Sequence, residues 1–141
     1  MTISLSPYLN FAGNTREAMN FYHDVFGGTL HIITFAEFGV TGMPADGVMH
    51  AALTTDHLSI FATDAQPGAE ASWNGTRVYL SLMGDDSGTL TDWFNRLAEG
   101  GRIGMPLEKQ VWGDTYGLVA DRFGIEWMVN IAATPAAGSA G

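Results

Sequence analysis

A chain of 141 residues with 46% hydrophobic side chains has the length of one compact domain, or of two half-size units too small to bury a core separately. Fifteen acidic against six basic residues leave a net charge of −9, which disfavours a nucleic-acid partner, and the absence of cysteine excludes disulfides, thiolate metal sites and cysteine nucleophiles. No run approaches the ~20 apolar residues of a bilayer span, and MTISLSPYLNF lacks the basic start and apolar centre of a signal peptide, so a cytoplasmic protein without a membrane partner is expected.

The first strand-like run is Leu5 to Phe11 (LSPYLNF), where Tyr8 and Asn10 alternate with Leu9 and Phe11. If the apolar pair packs inward, Tyr8 and Asn10 face the other way. Asn14 to Gly28 then reads as a helix, because Ala18, Phe21, Tyr22, Val25 and Phe26 recur at helical spacing on one face. Asn14 is the expected cap, with Glu17 in capping-box position, and Gly27 the expected stop. Strand candidates follow at Thr29 to Phe38, Val48 to Thr54 and Leu58 to Thr63.

The pattern then repeats. A strand-like run at Arg77 to Met83 leads into a helix from about Ser87 to Gly100 with Leu90, Trp93, Phe94, Leu97 and Ala98 on one face. Strand candidates follow at Arg102 to Met105, Thr115 to Asp121 and Glu126 to Ile131. Phe21 and Phe94, Gly27 and Gly100, and Gly28 and Gly101 keep one common offset, the signature of an internal duplication of roughly 70 residues. Pro67, Gly68, Ser72, Asn74 and Gly75 mark the linker. The expected organisation is a single domain over 1–132, with modules at about 3–66 and 76–132 and a disordered tail over 133–141. The fold class is α+β, with two βαβββ modules forming a curled, cup-shaped mixed sheet. Sheet edges and apolar faces left open by such modules favour a homodimer.

YLNF, FYHDVFGG, VMHAAL and FGIEWMVN, in that order from Pro7 to Asn130, resemble the PhnB-like members of the vicinal-oxygen-chelate (glyoxalase/bleomycin resistance/dioxygenase) superfamily. The resemblance implies the paired βαβββ fold reached above. It also implies, in metal-dependent members, one His or Glu ligand on each of four strands. Those places fall here on Ser6 or Pro7, Ile60 or Phe61, Arg77 or Val78, and Met128. None is an ordinary ligand for zinc, nickel or iron, so no metal or other cofactor is expected. Glu126, two positions from Met128, keeps the strand parity and can restore one ligand but not four. The ubiquinone methyltransferase label common among such proteins finds no support, because helix one is entered through Ala12-Gly13-Asn14 rather than a glycine-rich nucleotide turn.

Without the metal set, His50 is the leading candidate, and it matches the His of a family segment usually resembling HAEL. Met49, Ala51 and Leu53 form one alternate set, leaving His50 on the other face with Val48 and Ala52. Ala52 stands where the family segment is commonly acidic. Asp64 is the second catalytic candidate, weighed against ordinary turn chemistry in TDAQPG. Tyr8, Asn10, Arg77, Trp112 and Tyr116 are the substrate-binding candidates: two cup-facing polar groups, one anion holder and two members of an aromatic wall. Trp127 is read as core, His23 and His57 as solvated, and His31 is left open. The leading reading is a protein that holds a small organic molecule of unknown identity in its cup. The second is a metal-independent lyase or isomerase with His50 as general base, assisted by Tyr8 or Asp64. A third pairs His50 with an acid elsewhere as a displaced metal site.

Overall fold

The computed structural model describes residues 4–66, 68–69 and 78–133. The chain divides into two compact units, Met1–Trp73 and Asn74–Gly141. Arg77, most of the linker and nearly all of the expected tail lie outside the described residues.

The first unit contains β1 (Tyr8–Phe11), α1 (Thr15–Phe26), β2 (Thr29–Thr34), β3 (Val48–Thr54) and β4 (Ser59–Asp64). The second contains β5 (Leu80–Gly84), α2 (Ser87–Ala98), β6 (Arg102–Lys109), β7 (Thr115–Ala120) and β8 (Glu126–Ile131). Each unit is a four-stranded mixed sheet, ordered β1-β4-β3-β2 in one and β5-β8-β7-β6 in the other. The first strand pairs in parallel with the last, and the remaining pairs are antiparallel. The expected duplication is therefore a repeat of both element order and sheet topology.

Period-two alternation decides which face of each sheet lies under its helix. In the first unit Phe11, Ala51, Leu53, Ile60 and Ala62 are buried, and α1 packs across β2, β3 and β4. In the second, Val119, Trp127, Val129 and Ile131 are buried, and α2 covers that sheet in the same way. The indole of Trp127 donates to Asp121 Oδ2 at 2.9 Å, so its one polar atom is satisfied within the core.

Local details depart from the expectations. On α1 the buried apolar set is Ala18, Met19, Tyr22 and Val25, while Phe21 and Phe26 are half-buried. Asn14 makes no side-chain cap. The carboxylate of Asp64 instead accepts from the Thr15 backbone N–H at 3.1 Å, so the helix start is capped from β4. The expected strand through Phe38 stops at Thr34, because Glu37 accepts from both the backbone and hydroxyl of Thr34 and the chain turns back through Gly39. A bulge opposite Ile33 and Thr34 skips Met49, so Val48 is 1% exposed and does not share the face of His50.

Both double glycines do the same work. Gly27 and Gly100 end their helices with φ near +76°. The glycine after each lies against the backbone where the sheet turns: a Cβ at Gly28 would fall onto the Thr54 carbonyl, and one at Gly101 onto the Ala120 carbonyl.

Candidate functional site

The face of the first sheet away from α1 is built from two rows of opposed residues. Across the strands, His31 opposes Ala52, Ala52 opposes Phe61, and Phe61 opposes Tyr8. In the next row Ile33 opposes His50, and Thr63 opposes Asn10. Tyr8 and Asn10 thus lie on the side that the alternation with Leu9 and Phe11 predicts. Ala52, the smallest member, is a floor with His31 and Phe61 on the neighbouring strands and His50 two residues away along its own strand.

Tyr8 and His50 are bonded across this face, with the phenolic oxygen 2.8 Å from His50 Nδ1. Two arrangements satisfy the contact: Tyr8 donates to a bare Nδ1, leaving a proton on Nε2, or a protonated Nδ1 donates to the phenolic oxygen and leaves Nε2 bare. In either case the contact engages Nδ1 alone. Phe61 completes a ring cluster, its centroid 6.0 Å from that of Tyr8 and 5.6 Å from that of His50. Tyr8 is 49% exposed and His50 half-buried. Below this trio Thr63 donates its hydroxyl to the Met49 carbonyl at 2.8 Å, satisfying the bulge.

A cavity of about 630 Å³ opens beside the trio. It shares Ala52 and His31 with the first row and runs past Thr54 to the β3–β4 turn at Asp56 and His57, and neither Tyr8 nor His50 lines it. His31 had no assigned role in the sequence reading; its place opposite Ala52 brings it to the site. Glu37 lies near enough to His31 and Arg16 to feel their charge, but its carboxyl is held below the ordinary range chiefly by the hydrogen bonds from Thr34.

Asp64 sits on the opposite face. Its Oδ1 accepts from the Thr15 N–H and its Oδ2 from the Val48 N–H at 2.8 Å, tying the start of α1 to the start of β3. That is a structural arrangement rather than one aimed at His50. His23, expected in solvent, is half-buried, with Nε2 3.0 Å from the Gly28 carbonyl past the end of α1. His57 is exposed in the turn.

In the second unit Trp112 and Tyr116 form an edge-on pair with centroids 6.0 Å apart. The equivalent open face carries a different set: Met105, Leu118, Met128 and Ser81 in one row, and Glu108, Tyr116, Asn130 and Met83 in the next. Tyr116 stands where His50 stands in the first unit, and Ser81 where Tyr8 does. Asp114, in the turn between β6 and β7, accepts from the Asn130 side chain and the Ala133 N–H, and the first of these bonds leads in holding its carboxyl below the ordinary range.

The family's metal positions on β4 and β8 offer no fit. Phe61 lies on the open face and Ile60 is buried under α1, while Met128 takes the place of Phe61 in the second sheet. None of these supplies an oxygen or nitrogen donor. Among the described residues no three His, Cys, Asp or Glu side chains converge as a metal-holding group.

Comparison with known proteins agrees with this architecture. The chain is 33% identical over 140 residues to protein YjdN of Escherichia coli (strain K12), covering 90% of this chain and 94% of that one. The crystal structure of PA1353 from Pseudomonas aeruginosa superposes with a TM-score of 0.76 at 37% identity, covering 93% of this chain and 98% of that one. A PhnB protein from Bacillus cereus superposes with a TM-score of 0.75 at 24% identity over 92% of this chain and all of that one, a likeness of fold. The family model for the Glyoxalase/Bleomycin resistance protein/Dioxygenase superfamily matches residues 5–129, and the chain belongs to that superfamily.

Proposed function

We propose that this protein binds a small organic molecule on the open face of its first sheet, seated over Ala52 between His31, His50 and Phe61. The observation that carries the reading is the Tyr8–His50 hydrogen bond on the face away from α1. It fixes the imidazole without using Nε2, while Ala52 beside it leaves room that a larger residue would fill. Asp64 takes no part, because both of its oxygens hold backbone N–H groups. A thermal-shift screen of small organic molecules tests the proposal. Compounds that raise the melting temperature of the unaltered chain are expected to lose that effect in Ala52→Phe, which fills the floor of the site from a side chain already on the open face. Stabilisation that persists undiminished in Ala52→Phe would place the ligand elsewhere.

The same hydrogen bond favours a second reading, a metal-independent lyase or isomerase in which His50 is the general base. In the arrangement that leaves Nε2 bare, the protonated Nδ1 donates to the Tyr8 oxygen, which fixes the ring and orients Nε2 for proton abstraction from a bound carbonyl compound. Solvent deuterium entering the carbon beside that carbonyl, and ceasing to do so in His50→Gln, distinguishes catalysis from binding alone.

A further inference from the structure

We infer that the ligand of this face is a phenol, a flat aromatic ring carrying a hydroxyl; the inference rests on the binding reading above and names its chemical class. The ring follows from what surrounds Ala52. Tyr8, His50 and Phe61 hold their centroids 5.6 to 6.0 Å apart, within the range at which aromatic rings attract one another edge-to-face or offset. A fourth ring over Ala52 meets Phe61 from the neighbouring strand and His50 from the same strand, so it extends a cluster already formed. The strands carrying Phe61 and His31 flank β3, so roughly 10 Å separates their backbones. That width admits a flat ring standing edge-on between the two side chains. The adjoining cavity of about 630 Å³ has room for substituents on the ring.

The hydroxyl follows from His50. Its Nδ1 is engaged by Tyr8, so Nε2 is the atom that meets the ligand, bare in one arrangement and protonated in the other. A phenolic hydroxyl donates to the first and accepts from the second, and so satisfies both. A carboxylate suits only the protonated form, and the chain's net charge of −9 works against it.

Titration of the full chain with 4-cyanophenol, benzonitrile and cyclohexanol, followed by NMR of the Tyr8, His50 and Ala52 signals, tests this. 4-Cyanophenol is expected to shift all three. Benzonitrile, which has the ring without the hydroxyl, is expected to bind about tenfold more weakly, the factor that one hydrogen bond supplies. Cyclohexanol, which has the hydroxyl without the flat ring, is expected to leave the three signals in place. His50→Gln is expected to weaken 4-cyanophenol toward the level of benzonitrile while leaving benzonitrile unchanged. Equal shifts from cyclohexanol would overturn the aromatic class, and equal affinity for benzonitrile would overturn the hydroxyl; either result leaves the binding reading standing. Absence of any shift at Tyr8, His50 and Ala52 with all three probes would overturn the phenol assignment, and the binding reading falls with it only if Ala52→Phe also fails to abolish stabilisation in the thermal screen.

Discussion

Asp64 and His50 lie on opposite faces of one sheet, and that separation decides what each substitution does. In Asp64→Asn one acceptor becomes an N–H donor, so either the Thr15 or the Val48 N–H is left facing another donor. A loss of about 1 to 3 kcal/mol in urea unfolding is expected, the cost of one unpaired part-buried group. His50→Gln removes a hydrogen bond made at the surface with Tyr8 and is expected to change stability by well under that amount. Equal losses would put His50 among the structural residues. Asp114 provides a pH signature. Its carboxyl is lowered from an ordinary value of 3.8, so its contribution to stability is full above that value and is lost as the pH falls through the folded-state value. The stability difference between the unaltered chain and Asp114→Asn is therefore expected to shrink as acid is added from neutral pH, and a difference that grows would contradict the assignment. At this scale the sequence told the faces of Tyr8, Asn10 and His50 from alternation alone. It did not tell that Tyr8 meets His50, because contact between residues 42 apart depends on β1 and β3 both pairing with β4. Nor did it separate Asp64 from the site, since a strand-ending aspartate reads the same whether it caps a helix or faces a ligand.

The elements themselves were largely legible, because their signals are local. Helical spacing and the double-glycine exits located both helices and exposed the repeat, and the repeat carried the strand order with it. The misses occurred where a distant group replaced a local one. Asn14 and Glu17 spell a capping box, yet Asn14 makes no side-chain cap, and it is the carboxylate of Asp64, from β4, that satisfies a donor of the first turn, the Thr15 N–H. Met19 is fully buried while Phe21 and Phe26 are partly exposed, because the sheet sets the angle at which α1 is covered. The bulge at Met49 turned Val48 inward, which strict alternation does not anticipate. The glycine exits give a test at this scale. Gly28→Ala combines φ of +85° with a Cβ driven onto the Thr54 backbone, and a loss of about 3 kcal/mol or more is expected. Gly39→Ala shares a positive φ but has open space, so a loss of roughly 1 kcal/mol is expected there. Equal losses measured by denaturant unfolding would show that close approach of the chain is not what Gly28 provides.

Across the whole molecule, one topology appears twice with two different open faces. The first unit presents His31, His50, Tyr8 and Phe61 around Ala52, and the second presents Met105, Tyr116, Ser81 and Met128 around Leu118 at the corresponding positions. Both units bury apolar residues under their helix while their open faces differ in chemistry, and such differences on one scaffold are how one fold comes to host unrelated functions. Among the described residues no helix is long and apolar enough to cross a membrane. Superfamily membership accounts for the scaffold, while the account of ligand binding rests on the small patch around Ala52. The most direct measurement is a crystal structure of the full chain soaked with a compound that raises its melting temperature. The account predicts ligand density over Ala52 with a polar atom within hydrogen-bond reach of His50 Nε2. Ligand density found only away from Ala52 and His50 would contradict it.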